Sequence, residues 1–549
     1  MPSFADPFRR VEAGKDLDTL AAFRRGFHAC FSARGDELFE LVEALLCAPG
    51  AVRQLVDLAL APEHRRGHGA LYDGINAGRI DVARLSMLVA ALPVPRTSQG
   101  RITLGVDVSN WLRPEAVTSE ERGFCHVRNR GAGQALIIPG WPYSVVAALE
   151  AGRTSWTAVL DAHRITPADD VAELTATQVR RVVQRLIECG HWKNQDPPIT
   201  ICLDAGYDIP YLAYRLADLP VLVVGRLRSD RVFRFPTANT PGPRGGRPAI
   251  HGPAFALADD TTHTQPALTT TTDTPRCGTA TATSWDRLHP QLTHRNRWAN
   301  HNGPLPVIEG TIIRLQVDHL PGNRHPTPMW LWAATTGADP AEMDRCWQAY
   351  LRRFDLEHTF RLFKQTLGWT APKIRSPQAA DRWTWLVITA HTQLRLARPL
   401  VADLRHPWEK PAAPGRLTPA RVRRGFRNLR PTLPLPASAP KPSHPGPGRP
   451  KGSPNRHPAQ THPVGKKHTT TPTKPRPRPT RLTAAISLAD ILTILHTEPV
   501  HPRKARDIGR QLGVTSPTTL NTLAVRMSEW AAQGRITKTA PATYTITTG

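Results

Sequence analysis

Apolar positions recur at helical spacing through the first part of the chain. The stretch from Asp36 to Gly50 carries Leu38, Leu41, Leu45 and their neighbours at intervals of three and four, and ends on Pro-Gly. Residues 54–92 continue the pattern, so residues 1–98 are expected to form a helical N-terminal domain. Such a module serves either for DNA binding or for packing and dimerisation. From Arg101 the period changes to short β-branched runs at 102–109, 133–149, 198–207 and 221–227. A helix is expected over 168–189 and a shorter helical link over 211–219. Strands interleaved with helices predict a mixed α/β sheet, with its first part over 99–229.

Residues 230–310 are rich in Thr, Pro, Gly and His and read as an insertion of short strands and loops. Strand character returns at 311–320 and 329–336. A long helix is expected from Pro340, behind the cap Asp339, to about Leu367, and another over 377–397. These make 311–404 the second part of the α/β core. In 405–482 there are 18 Lys and Arg, one acid (Glu409) and 19 prolines, a net charge of +17. Little in that composition can build a core, so a disordered, basic, Pro-rich linker is expected, opening on a short basic helix at 421–430. Residues 483–549 regain order as three helices and a β-ribbon, the winged helix-turn-helix pattern.

The whole chain of 549 residues has a net charge of +26 and a pI near 10.7. That favours a polyanionic partner, nucleic acid ahead of an acidic membrane surface. No apolar run approaches the ~20 residues that span a bilayer, and the N-terminus lacks an apolar signal core. A cytoplasmic, nucleoid-associated protein is expected. The seven cysteines include no C-x-x-C pair, which argues against a disulfide framework or a structural zinc site.

Two aspartates lie at the ends of apolar β-runs: Asp107 in GVDVS and Asp204 in ICLDAGYD. Paired acids at strand ends suit hard divalent cations, and two such ions can activate a nucleophile and stabilise the leaving oxygen of a phosphodiester. Alone, both could equally be turn or cap aspartates. Asp208 competes with Asp204, but it precedes Pro210 in an expected loop, whereas Asp204 directly follows the apolar run. The long helix then supplies Tyr350, Arg353, Glu357 and Lys364, at offsets that place all four near one face of a straight α-helix. Either this is a solvated salt-bridge face, or the acid completes a metal site while the cations grip phosphates on both sides of the scissile bond.

The Y-x2-R-x3-E-x6-K segment resembles the signature of the YREK group of bacterial insertion-sequence transposases, DDE enzymes with an RNase H-like core. LDAGYD is similar to that family's second-aspartate motif, and GVDVSNW matches its first more loosely. The resemblance spans about residues 100–400. It implies that Asp107, Asp204 and Glu357 are catalytic and bind two Mg²⁺ ions, with Mn²⁺ able to substitute. It also implies that Arg353 and Lys364 contact DNA beside the cut, and that Tyr350 contacts a phosphate or supports Glu357. The family commonly carries a β-rich insertion between the second Asp and the Glu, here 153 residues apart. Trp285 and Trp298 are candidates for stacking on a flipped base there, set against a plain core role.

Accessory DNA contacts are expected at Arg449 and Lys451 in Pro447-GRPKG, which is similar to an AT-hook core, with simple phosphate attraction as the other reading. In the C-terminal module the third helix offers Thr518, Thr519, Asn521, Thr522 and Arg526, while Arg503, Lys504, Arg506 and Arg510 could lie along a DNA backbone. The expected activity is metal-dependent cleavage at the ends of an insertion sequence, followed by 3′-hydroxyl strand transfer. Its partners are double-stranded DNA (terminal inverted repeats and target) and further copies of the chain, as a homodimer or higher oligomer. A catalytically idle, domesticated DNA-binding protein is the alternative, and an RNase H-like nuclease on RNA or branched DNA a third.

Overall fold

A ten-stranded mixed sheet organises the larger part of the chain in the computed structural model. The structure describes residues 7–97, 99–128, 135–152, 154–237, 249–321, 326–413, 415–441, 459–465, 487–497, 501–514 and 517–546. They fall into two units, Met1–Lys467 and His468–Gly549.

The first unit begins with α1 (Pro7–His28), β1 (Phe31–Ala33), α2 (Gly35–Cys47), α3 (Leu55–Ala59), α4 (His68–Ala77), β2 (Arg79–Ile80) and α5 (Val82–Ala90). The next elements are β3 (Thr103–Leu112), β4 (Gly123–Arg128), β5 (Ala135–Leu149), β6 (Thr157–Arg164), α6 (Val171–Glu188), β7 (Ile199–Leu203), α7 (Ile209–Arg215) and β8 (Val221–Leu227). After β9 (Val232–Arg234) and β10 (Ala254–Ala256) come β11 (Leu268–Thr274), β12 (Gly278–Leu288), β13 (Gly310–Val317) and β14 (Met329–Ala333). Four helices follow: α8 (Pro340–Arg352), α9 (Asp355–Arg361), α10 (Pro377–Ala397) and α11 (Pro419–Leu429).

Strands β3, β5 and β6 are antiparallel, while β7 runs parallel to β3 and β8 parallel to β7. This is the mixed α/β sheet that the alternation of strands and helices predicted. Beyond β8 the sheet continues antiparallel through β14, β13, β12 and β11. Residues 268–288 therefore belong to the main sheet, where an insertion of short strands and loops was expected. Threonine reads as polar but is β-branched and fits a pleated surface. The inward positions of β12 are Ala280, Ala282 and Ser284, small side chains that leave room for Met343, Trp347 and Tyr350 of α8 on the same face. Two of those three are apolar but short, so no hydrophobic run marks the strand.

The N-terminal helices have no core of their own. Leu20, Phe23 and Phe27 of α1 and Leu38, Leu41 and Leu45 of α2 share one hydrophobic cluster with Leu386, Leu394 and Ala397 of α10. Helix α10 is buried nearly all round, so it needs apolar cover beyond the sheet. Arg24 and Glu43 are both fully buried and pair at 2.6 Å, with Gln393 accepting a second bond from Arg24 at 2.7 Å. The N-terminal helices thus pack into the same core as α10.

Residues 405–441 depart from the expected disordered linker. Val422 and Phe426 of α11 are fully buried in the main core, and Leu433 and Ala437 pack behind them. Arg423 donates to Leu45 O at 3.0 Å and Gly50 O at 2.8 Å, and Arg427 donates to Cys47 O at 2.7 Å. Leu45 and Cys47 lie in the last turn of α2, where backbone acceptors lack helical partners and cations are favoured, and Gly50 follows in the next loop. Composition pointed to solvation, but the charges meet a surface that needs donors. Farther on, His462 N–H donates to Val117 O and Gly465 N–H to Arg122 O, each at 2.8 Å.

The long helix expected over 340–367 is interrupted. Arg353 and Phe354 N–H groups bond three residues back, to Tyr350 O at 3.0 Å and Leu351 O at 3.3 Å. Leu356 and Glu357 do the same before α9 continues into a π-helical turn over Leu362–Thr366. The chain is thus overwound and then underwound, which turns Glu357 away from the line that a straight helix would give it.

The second unit holds α12 (Leu488–Thr497), β15 (Arg503–Lys504), α13 (Ala505–Gln511), α14 (Pro517–Ala532), β16 (Thr537–Ala540) and β17 (Thr543–Thr545). Strand β17 lies between β15 and β16. Ile491, Ile508, Leu523, Met527 and Tyr544 form its core. Arg503 and Lys504, expected along a DNA backbone, form β15 and pair with β17. No helix among the described residues is long and apolar enough to cross a membrane.

Candidate active site

Parallel pairing brings the two aspartates together. Val106 of β3 lies opposite Leu203 of β7, so the next residue on each strand is an aspartate, Asp107 and Asp204. Both sit at the carboxyl side of the paired segment, where α/β sheets tend to place ligand sites. Helix α8 packs across this end of the sheet through Met343, Cys346, Trp347 and Tyr350. It delivers Tyr350 and Arg353 from its last turn.

Arg353 bridges the pair: one guanidinium nitrogen lies 2.5 Å from Asp107 Oδ2 and another 3.7 Å from Asp204 Oδ2. Its guanidinium also stands 5.6 Å from the Tyr350 ring centroid. The Tyr350 hydroxyl donates to Asp204 Oδ1 at 3.1 Å. The resemblance implied that Tyr350 contacts a phosphate or supports Glu357. The structure buries this tyrosine, and its hydroxyl bonds to Asp204.

The two carboxyls respond differently to their surroundings. Burial pushes Asp107 up to about 6; Arg353 and the Val108 N–H act against this, while Glu357 and Asp204 reinforce it. Asp204 is also desolvated, but Arg353, the Ala205 N–H, the Tyr350 hydroxyl and Arg226 outweigh burial and hold it below the usual range. Burial and the neighbouring Asp204 push the Tyr350 phenol up to about 12, so it remains a donor at neutral pH.

Glu357 is exposed on α9, and its charge acts on both Asp107 and Lys364. Lys364, in the π-helical turn, is driven below its ordinary value by burial, with Glu357, Cys125 and Asp107 opposing that shift. Its ammonium stands 5.8 Å from the Trp369 ring centroid. Among the described residues, no three His, Cys, Asp or Glu side chains converge closely enough to hold a metal ion. Arg353 lies between the aspartates, and Glu357 bears on Asp107 through its charge. The donor chemistry nonetheless fits divalent cations: all three groups are carboxylates, and Asp107 is strongly desolvated even with a guanidinium on it.

The sequence reading missed Tyr207. Its N–H donates to Asp204 O at 3.2 Å, while its phenol oxygen is buried without a hydrogen-bond partner among the described residues. The charges that reach it, after the dominant effect of burial, are those of Asp107, Arg353 and Asp204. The signal was present in LDAGYD, three positions beyond Asp204. Asp208 caps α7 through the Tyr211 N–H and pairs with Arg297 at 3.2 Å, away from the Arg353 bridge.

Trp298 is buried against Tyr211 and Tyr214, and Trp285 against Phe255 and Trp330 with its indole N–H on Thr264 O, so both are core residues here. Arg526 is exposed on α14, its guanidinium 6.0 Å from the Trp530 ring centroid, and Asn521 of the same helix is also exposed. Arg449 and Lys451 lie outside the described residues, as do the side chains of Thr518, Thr519 and Thr522.

No curated protein matches the chain. Residues 26–291 match the family model described as DDE superfamily endonuclease, a span that takes in Asp107 and Asp204 and ends before Glu357.

Proposed function

We propose that this chain is an insertion-sequence DNA transposase of the YREK group, cutting at element ends and joining the 3′-hydroxyls to target DNA. The observation that carries this reading is the Asp107–Arg353–Asp204 bridge, with the charge of Glu357 bearing on the same point. Two desolvated acids held by one cation form a site whose carboxylates favour positive charge. Asp107, Asp204 and Glu357 would hold divalent ions, Mg²⁺ or Mn²⁺, which supply Lewis-acid stabilisation of charge on the phosphate.

The chain's own residues account for the rest. Without DNA, Arg353 is the internal counter-ion of the aspartates. On release it has a planar fork that matches a phosphate, as the signature implies. The Tyr350 hydroxyl holds the Asp204 carboxylate in one orientation throughout. Lys364 provides a second cation on the Glu357 side, at a depth where water screens it little. The second unit, read as a winged helix with Arg526 on its exposed helix, contributes duplex contacts, as do Arg449 and Lys451. A homodimer or higher oligomer follows from the need to hold two element ends.

A strand-transfer assay with Mg²⁺ on the DNA flanking the gene tests the reading. Wild type should join ends to target, and Asp204→Ala should abolish joining while leaving DNA binding intact. Equal joining by both proteins would remove the carboxylate assignment.

A further inference from the structure

Beside Asp204 lies a cavity of about 430 Å³, bounded by the loop after β7, the start of α7, the end of β8, β9 and Gln291. Its wall is apolar, with Ile209, Leu227 and Phe233, and its rim carries Arg226, Arg228, Arg231 and Arg234. One acid lines it, Asp208, whose carboxylate is already engaged by Arg297 and the Tyr211 N–H. Arg234 donates to Gln291 at 3.0 Å. Arg228 holds Asp230 at 3.0 Å in a pair whose side chains are both more than half exposed, the kind that yields readily to a stronger anion. Arg226 and Arg231 make no side-chain hydrogen bond or ion pair with the described residues.

Four guanidinium groups around one opening repel each other, and among the described residues only Asp230 forms an ion pair with any of them. Around α11, by contrast, clustered arginines are matched by carboxylates and backbone carbonyls. An unmatched cluster over an apolar wall is suited to an external phosphate. The charge of Arg226 also reaches Asp204 and Tyr350, so the rim is electrostatically continuous with the candidate cutting site.

We infer that this cavity is a phosphodiester subsite for one unpaired DNA strand, holding the backbone where it passes Asp204. The volume admits a nucleotide with its phosphate and excludes a duplex. Cations tracking a single-strand backbone are a general solution for such binding. The inference rests on the transposase reading for its choice of ligand.

Its test uses the full chain without divalent metal, so that binding is read separately from cutting. Affinity for a fluorescent single-stranded oligonucleotide and for a blunt duplex is measured across a salt series, for wild type and the Arg228→Gln/Arg231→Gln double variant. Both positions are exposed, so folding should be unaffected, and circular dichroism checks this. The double variant should bind the single strand about tenfold more weakly at low salt, with a log–log salt slope smaller by about 1.4, while the duplex changes less. Equal single-strand affinity and slope in the two proteins would overturn the inference. So would competition by a free mononucleotide or inorganic phosphate as effective as the oligonucleotide, which would make the cavity a small-anion site. A protein that joins DNA ends normally with both arginines replaced, and binds strands as wild type does, loses this subsite and keeps the transposase reading. One that never cuts, yet shows the slope change, keeps the subsite and loses that reading.

Discussion

Two arginine-rich regions of the first unit use similar chemistry to opposite ends. Around α11, Arg421, Arg423, Arg424, Arg427 and Arg430 all find partners within the chain: Glu409, Glu43 and the carbonyls at the end of α2. At the β8–β9 rim, Arg226 and Arg231 make no ion pair or side-chain hydrogen bond among the described residues, Arg226 acting on Asp204 only at longer range, and Arg228 has only an exposed partner. A net charge of +26 therefore does not by itself locate a DNA footprint. What distinguishes a structural arginine from a binding one is whether its donors are already taken.

That contrast predicts an order of effects. The largest should follow Arg423→Ala, which strips two charge-assisted bonds from buried carbonyls and should destabilise the first unit by about 3 kcal/mol. Urea unfolding measures this, and a loss near that of an exposed arginine would mean that α11 is weakly docked.

Next comes the acid pair. Because the folded-state value of Asp107 is raised to about 6 from 3.8, the folded protein holds that proton more tightly than the unfolded chain does. The contribution is full below pH ~4 and is lost as pH rises through 6. Asp107→Asn should flatten that part of the stability profile in metal-free buffer. Arg353→Gln should shift it to higher pH, since the principal opposing cation is gone; an unmoved profile would break the proposed bridge.

A smaller change is expected for Tyr207→Phe. Removing a buried hydroxyl without a partner should leave stability unchanged or raise it by about 1 kcal/mol, readable as a higher Tm. A marked fall would show that the hydroxyl has a partner, such as an ordered water. The smallest effect should be that of Arg231→Gln, within about 0.5 kcal/mol of wild type in stability while strand binding weakens.

Much of the core's element order could be read from residue pattern. The β-runs around 102–109, 198–207 and 221–227, and the cap Asp339, are local features that need no partner to be recognised. Strand β12 escaped because its inward side chains are Ala280, Ala282 and Ser284, chosen by the bulk of Trp347 across the interface. The interruption at Arg353 was hidden for a similar reason. No Gly or Pro marks it, and the tightened turn coincides with an arginine held by two acids from different strands.

By itself the sequence determined which groups could do chemistry: three acids, two of them after apolar strands, and a spaced Tyr-Arg-Glu-Lys set. These are covalent facts about side-chain type and distance along the chain. Tertiary structure alone decided who faces whom. The β3–β7 register sets Asp107 beside Asp204, the overwound turn sends Tyr350 to Asp204 and leaves Glu357 exposed, and helix-end carbonyls take up α11. Pairing of charges depends on contacts between residues far apart in sequence and on local desolvation, and neither is encoded in any single stretch of the chain.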